Sequence, residues 1–173
     1  MFRKASMQDI DRISEIYDEI HLEEENGNTT TGWVRDVYPT RKTAEDAILI
    51  GNMFVLEDNE QIVAAAKIDQ EQIEGYSNAS WNYDVAKDKV MVLHTLVVSP
   101  RMKGKGYGSK FVGCYEKYAL ESGCYYLRMD TNERNLNARR LYKKLGYKEV
   151  SILPSVFNGI EGVKLVYLEK KLS

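Results

Sequence analysis

Three glycines at alternate positions, Gly104, Gly106 and Gly108, lie between basic residues in Arg101-Met-Lys-Gly-Lys-Gly-Tyr-Gly-Ser109. Glycine lets a backbone reach left-handed conformations and approach a ligand closely, with no side chain in the way. The residues before this stretch, Met91 to Val98, are rich in Val, Leu and Thr and read as a buried strand, ended by Ser99-Pro100. The residues after it are helical, with Phe111, Tyr115, Tyr118 and Ser122 on one stripe and Val112 and Ala119 beside it. A strand, a glycine turn and a helix start together aim several backbone N–H groups at one point. The helix N-terminus there also carries about half a positive charge, so the geometry suits an anion.

Two common phosphate-binding patterns do not fit. The G-x-G-x-x-G pattern fails because Ser109 stands where its third glycine belongs. The P-loop pattern fails because Gly104-Lys105 is followed by Gly106 rather than by Ser or Thr. The pattern that does fit is R-x-x-G-x-G, Arg101 through Gly106, after a strand ending V-V-S-P.

That loop resembles the acetyl-CoA pyrophosphate loop of the GNAT-type N-acetyltransferases. A second stretch, Asn135-Leu-Asn-Ala138-Arg-Arg-Leu141-Tyr142-Lys-Lys-Leu145-Gly146-Tyr147, is similar to the family's N-x-x-A-x-x-L-Y-x-x-x-G-F/Y signature. The two occur in the family's order and at about its spacing. The resemblance is tight from Lys89 to Tyr147 and extends to the N-terminal half only through the order of elements.

The resemblance implies a mixed α/β GNAT fold, a central sheet of about seven strands with helices on both faces, filled by one domain over residues 1–173. It implies acetyl-CoA as co-substrate and an amine of a small molecule or protein as acceptor, with direct transfer in a ternary complex. It places the diphosphate on the main chain of Arg101, Met102, Lys103, Gly104, Lys105, Gly106, Tyr107, Gly108 and Ser109. Leu96, Val97 and Val98 would pair with the pantetheine arm as an added strand does. Asn135 would touch that arm, or cap the helix it opens, or do both. Tyr142 would be the general acid toward the departing thiolate; the alternative is that it packs with Ala138 and Leu145.

An alkyl amine is on the order of one part in a thousand neutral at pH 7, so a base is needed. His94, on the central strand, and Asp130, at the end of the next, are the two candidates. By the two-residue period Val92, His94 and Leu96 share a face. The central strand carries no glutamate at the family's usual base position, which leaves the base open. The acceptor pocket would draw its wall from Trp33, Tyr38, Tyr76, Trp81 and Tyr83. A non-catalytic acyl-CoA-binding or sensing module is the alternative function; it would need the glycine loop but neither Tyr142 nor a base.

The chain has 173 residues, 43% hydrophobic and 29% charged, enough for one core. A net charge of −2 gives no drive toward nucleic acid, and no apolar run approaches the roughly 20 residues of a membrane span. The N-terminus has no apolar core like that of a signal peptide. Cys114 and Cys124 form neither a C-x-x-C pair nor a disulfide framework, so a reducing, cytoplasmic setting is expected, with no metal. A homodimer is an open alternative to a monomer.

The remaining elements follow from local signals. Phe2 to Ala5 is a leading strand and Ser6 to Asp9 a capping box before a helix that dissolves near Glu23. Thr43 to Asp46 reads as a second helix start. Met53–Glu57 and Gln61–Asp69 read as a hairpin through Asp58-Asn59-Glu60. Tyr125 to Asp130 is another strand. The last two strands are expected at Tyr147–Leu153 and Lys164–Lys170, around a loop holding Phe157, Asn158 and Gly159.

Overall fold

A computed structural model describes all 173 residues. The helices are α1 (Ile10–Glu25), α2 (Arg41–Leu49), α3 (Tyr107–Glu121) and α4 (Leu136–Lys144). The strands are β1 (Phe2–Lys4), β2 (Met53–Asp58), β3 (Gln61–Asp69), β4 (Val90–Val98), β5 (Tyr126–Asn132), β6 (Lys148–Phe157) and β7 (Ile160–Lys171). The strands form one sheet in the order β1-β2-β3-β4-β5-β7-β6, and all pairs are antiparallel except β4 with β5. The expected mixed α/β architecture and element order are the observed ones. None of the helices is long and apolar enough to cross a membrane.

Two apolar layers clamp the sheet. Ile13, Ile16 and Tyr17 of α1 and Ala44 and Ala47 of α2 pack on one face with Val55, Ala65 and Val97. Phe111, Val112 and Tyr115 of α3 pack on the other with Phe54, Leu93, Leu127 and Met129. Each set repeats at three- and four-residue spacing, which is why these segments fold as helices with one dry face.

Two local expectations change in detail. The second helix starts at Arg41 rather than after Thr43: Thr40, just past Pro39, is the extended N-cap, and Thr43 returns the bond in a capping box. The last two strands are longer than expected and meet at Asn158-Gly159, both at positive φ. That pair is a two-residue hairpin turn, so the expected loop is itself strand. Asn59 and Glu60 turn the β2–β3 hairpin in the same left-handed conformation.

Candidate active site

β4 and β5 pair from Val90↔Tyr126 to Leu93↔Met129 and then part. β4 continues to Val98 against β3, and β5 continues to Asn132 against β7. A wedge therefore opens in the middle of the sheet, walled by strand edges with no strand partner. Its origin is a bulge: from the Ala65↔Val97 pair to the Lys67↔His94 pair, β4 spends one residue more than β3. Thr95 is the extra residue, at φ +53. A β-branched residue in that conformation is strained by on the order of 1–3 kcal/mol, and bulges bend and twist their strand. The Tyr38 hydroxyl hydrogen-bonds Thr95 Oγ1 and helps hold it there.

The bulge also corrects a face assignment. Leu93, Leu96 and Val98 pack toward α3, whereas Val92 belongs to a different cluster and His94 opens onto another cavity. His94 and Leu96 therefore do not share a face, because the extra residue resets the alternation between them.

Leu96, Val97, Val98, Asn135, Ala138 and Tyr142 all line the wedge, with Asp130 at its inner end. The glycine loop follows at the end of β4. Gly104 and Gly106 stand at φ +79 and +78, and a Cβ on either would meet nothing within 4 Å. Their requirement is conformational, not a lack of room in the protein. Gly108 differs: a Cβ there would lie 3.2 Å from Leu141 Cδ2, so the glycine lets α3 start close against α4. The first helix N–H with an acceptor is that of Lys110, on the Gly106 carbonyl at 3.0 Å. The N–H groups of Gly104, Gly106, Tyr107, Gly108 and Ser109 thus find no acceptor in the chain, as a helix start leaves them. Lys103 and Lys105 are exposed beside them.

The loop's other side chains are tied to the scaffold. Arg101 reaches Glu15 at 3.2 Å and Glu19 at 3.1 Å on α1, and buried Ser99 donates to Glu19 at 2.6 Å. The Tyr107 hydroxyl donates to Asp58. Met102 packs partly against the α3-side core. The Arg101 side chain is thereby committed to carboxylates, leaving anion binding to the main chain. Across the wedge mouth runs the segment Thr29–Trp33. Glu24 holds it by accepting from the Thr29 hydroxyl (2.7 Å), Thr31 N–H (2.9 Å) and Gly32 N–H (3.0 Å).

Asn135 is the N-cap of α4, its Oδ1 accepting from Ala138 N–H at 3.2 Å. Its amide nitrogen donates to nothing in the protein and lines the wedge. Tyr142 is 7% exposed, and its hydroxyl has no hydrogen-bond partner in the chain. Burial, and then the Asp130 carboxylate, push that phenol well above its ordinary range. It stays protonated at neutral pH and free to donate.

A second, wider cavity meets the wedge; Leu93, Thr95, Asp130 and Phe157 line both. Tyr38, Lys67, Glu71 and His94 also line it. His94 Nε2 lies 2.9 Å from Asp69 Oδ1. Asp130 Oδ2 accepts from the Tyr76 hydroxyl at 2.7 Å. Burial raises the Asp130 carboxyl, opposed by that hydrogen bond and by the charge His94 can carry. The candidate acid and both candidate bases thus stand around the meeting point of the two cavities. No three or more His, Cys, Asp or Glu side chains are grouped to hold a metal ion.

The aromatic residues divide. Trp33 lines the wedge and Tyr38 the wider cavity, while buried Tyr76 reaches the site only through Asp130. Trp81 lies over the Arg128 guanidinium at 4.2 Å and Tyr83 against Tyr126 at 5.2 Å, so these two pack. The residue the sequence did not reveal is Asp69. Its pairing with His94 depends on the register of β3 with β4, and no local pattern encodes that.

Residues 13–147 match the profile of the Acetyltransferase (GNAT) family. A stretch of 77 residues is 32% identical to the bovine (Bos taurus) thialysine N-epsilon-acetyltransferase, covering 44% of this chain and 45% of that protein. The chain thus spans less than half the length of that relative. An acetyltransferase of the GNAT family from Streptococcus agalactiae superposes with a TM-score of 0.82 at 22% identity, covering all of this chain and 95% of the other. The Salmonella typhimurium protein yncA, solved with acetyl-CoA, gives 0.69 at 20% identity over 100% and 94% of the two chains. With its glycine loop, split sheet and matching profile, the chain belongs to the GNAT acetyltransferase family.

Proposed function

We propose that the protein is an acetyl-CoA-dependent N-acetyltransferase that passes the acetyl group directly to a primary amine while both substrates are bound. The observation that carries this is the meeting of two cavities at Leu93, Thr95, Asp130 and Phe157. One cavity is walled by the free edge of β4, whose end at Val98 leads into the glycine loop, and the other opens to a second molecule.

The residues present fit coenzyme A. Free N–H groups of Gly104, Gly106, Tyr107, Gly108 and Ser109 supply an anion cradle at a helix start. The unpaired edge of β4 from Thr95 to Val98 supplies donors and acceptors for amide groups, and the Asn135 amide adds another donor. When bound, acetyl-CoA supplies an activated acyl group as a thioester. The Tyr142 hydroxyl, free and protonated, gives its proton to the departing sulfur. Transfer from a phenol of ordinary pKa ~10 to a thiolate of ~8.5 is uphill by about 2 kcal/mol, and burial of Tyr142 adds to that. The donation therefore accompanies C–S cleavage rather than preceding it. A base in the wider cavity takes a proton from the amine, and the surrounding apolar residues keep water from the thioester.

Thialysine, on which the bovine relative's name says it acts, is a primary amine and a reasonable first acceptor. The test is an initial-velocity study of thiol release with acetyl-CoA and a panel of amines. The proposal predicts intersecting lines, the pattern of a ternary complex. Parallel lines contradict direct transfer, and CoA binding with no turnover across the panel contradicts the enzyme.

A further inference from the structure

β3 and β4 place a carboxylate behind one candidate base. Each side chain of the Asp69–His94 pair is 11% exposed, and Nε2 stands 2.9 Å from Oδ1. Asp69 is held by other donors as well. Glu71 N–H reaches Oδ1 at 2.9 Å, while Oδ2 takes Asn52 Nδ2 at 3.2 Å and Lys67 Nζ at 3.1 Å. Everything around this carboxylate donates, which favours its ionised form. Burial opposes that, but His94, the Glu71 N–H and Lys67 outweigh it and leave the carboxyl at about 2.

An ionised carboxylate can only accept, so the proton at this contact belongs to His94 Nε2. That leaves the lone pair on Nδ1. Nδ1 has no partner in the protein and, unlike His21 Nδ1, is not shut inside the core. The ring lines the wider cavity beside Asp130. The other charged groups lining this cavity are Lys67 on β3, Glu71 just past β3 and Asp46 on α2.

Resting on the transferase reading above, we propose that Asp69 is a positioning residue that locks His94 in the Nε2–H form and makes His94 Nδ1 the base for the acceptor amine. Asp130 then serves the site as the acceptor of the Tyr76 hydroxyl. An ammonium acceptor sheds two protons as its nitrogen lone pair forms the bond to the acetyl carbon. The electron pair of the breaking C–S bond leaves with sulfur. One proton passes through His94 Nδ1 to solvent, and the other replaces the proton that Tyr142 gives to sulfur. An imidazole suits such a relay because its ordinary titration range lies near neutrality.

The test has two arms. With only His21 and His94 in the chain, long-range proton–nitrogen NMR of the imidazoles is assignable with His21→Gln. His94 should show a downfield Nε2–H, slow to exchange, and a bare Nδ1; Asp69→Ala should abolish that protection. A proton on Nδ1, or protection unchanged by Asp69→Ala, overturns the proposal.

In the second arm, thiol release is followed with acetyl-CoA and thialysine. His94→Gln should lower kcat by roughly 10²–10⁴-fold. Asp69→Asn should lower it by roughly 10–100-fold, as loss of an orienting partner behind a functional histidine does. It should leave KM for acetyl-CoA alone. A merely structural Asp69 would move KM and the unfolding midpoint together with kcat, and that pattern counts against its positioning role. An active wild type whose His94→Gln variant keeps kcat within threefold overturns this inference alone. A wild type inert toward every amine, with the NMR signature intact, overturns the transferase reading and with it the base role.

Discussion

Replacing Tyr142 with phenylalanine removes one oxygen atom from the inner end of the wedge and nothing else. The side chain is 7% exposed and packs within the α3-side core through its ring, which phenylalanine keeps. Its hydroxyl bonds to no protein group, so no internal hydrogen bond is lost. Folding stability should therefore change by less than about 0.5 kcal/mol. Catalysis should suffer far more. A positioned acid is worth roughly 10²–10⁴-fold, or about 2.7–5.4 kcal/mol of barrier, and the alternative proton source is water outside a largely apolar wedge. The assay is thiol release at saturating acetyl-CoA, with the CoA dissociation constant measured by calorimetry and the unfolding midpoint by urea. The expected result is a kcat loss in that range with CoA affinity within twofold and the midpoint unmoved. A kcat within threefold of wild type would refute the acid role and leave Tyr142 as packing.

Three other outcomes follow from the same structure. Gly106→Ala puts a side chain at φ +78, where it costs about 1–2 kcal/mol, so CoA affinity should fall roughly 5–30-fold by calorimetry while the fold persists. Glu169→Gln removes the charge partner of Arg128, a pair with both side chains at most 6% exposed; it should cost about 3–5 kcal/mol, seen as a Tm drop of roughly 6–20 °C. Replacing both residues by methionine should recover most of that loss. Asp69, held at about 2 against an unfolded value near 3.9, adds stability that is present above about pH 4 and disappears as pH falls toward 2. The stability gap between wild type and Asp69→Asn, read from urea midpoints, should close across that interval.

Sequence and structure agree where the signal is local. The glycine loop, the capping box at Ser6 and the α3 stripe each carry their conformation in a few adjacent residues; the loop and box are in place, and of the stripe Phe111 and Tyr115 are buried, Tyr118 is half-buried and Ser122 is exposed past the helix end. The Asn158-Gly159 turn is equally local, yet the strand ends on either side of it, from Pro154 to Val163, read as loop because β6 is an edge strand with an exposed Val156 and an internal Pro154. The bulge at Thr95 had no such signal. A threonine in a strand-like run argues for regular extension, and only its tertiary setting, Tyr38 included, forces it to positive φ. The Asp69–His94 contact and the Tyr76–Asp130 contact are also invisible locally, since 25 and 54 residues separate their partners. Trp81 and Tyr83 misled for a related reason. Irregular chain rich in aromatics looks like a pocket wall, but here it covers a buried arginine on the far side of β5.

Coenzyme A recognition rests on the backbone amides at the start of α3. A titration of nitrogen-15-labelled protein with CoA, alongside one with pantetheine, which lacks the diphosphate, addresses them directly. The amide signals of Gly104, Gly106, Tyr107, Gly108 and Ser109 should move downfield with CoA and stay in place with pantetheine, while Leu96 to Val98 respond to both. Silent loop amides in the presence of saturating CoA would contradict it.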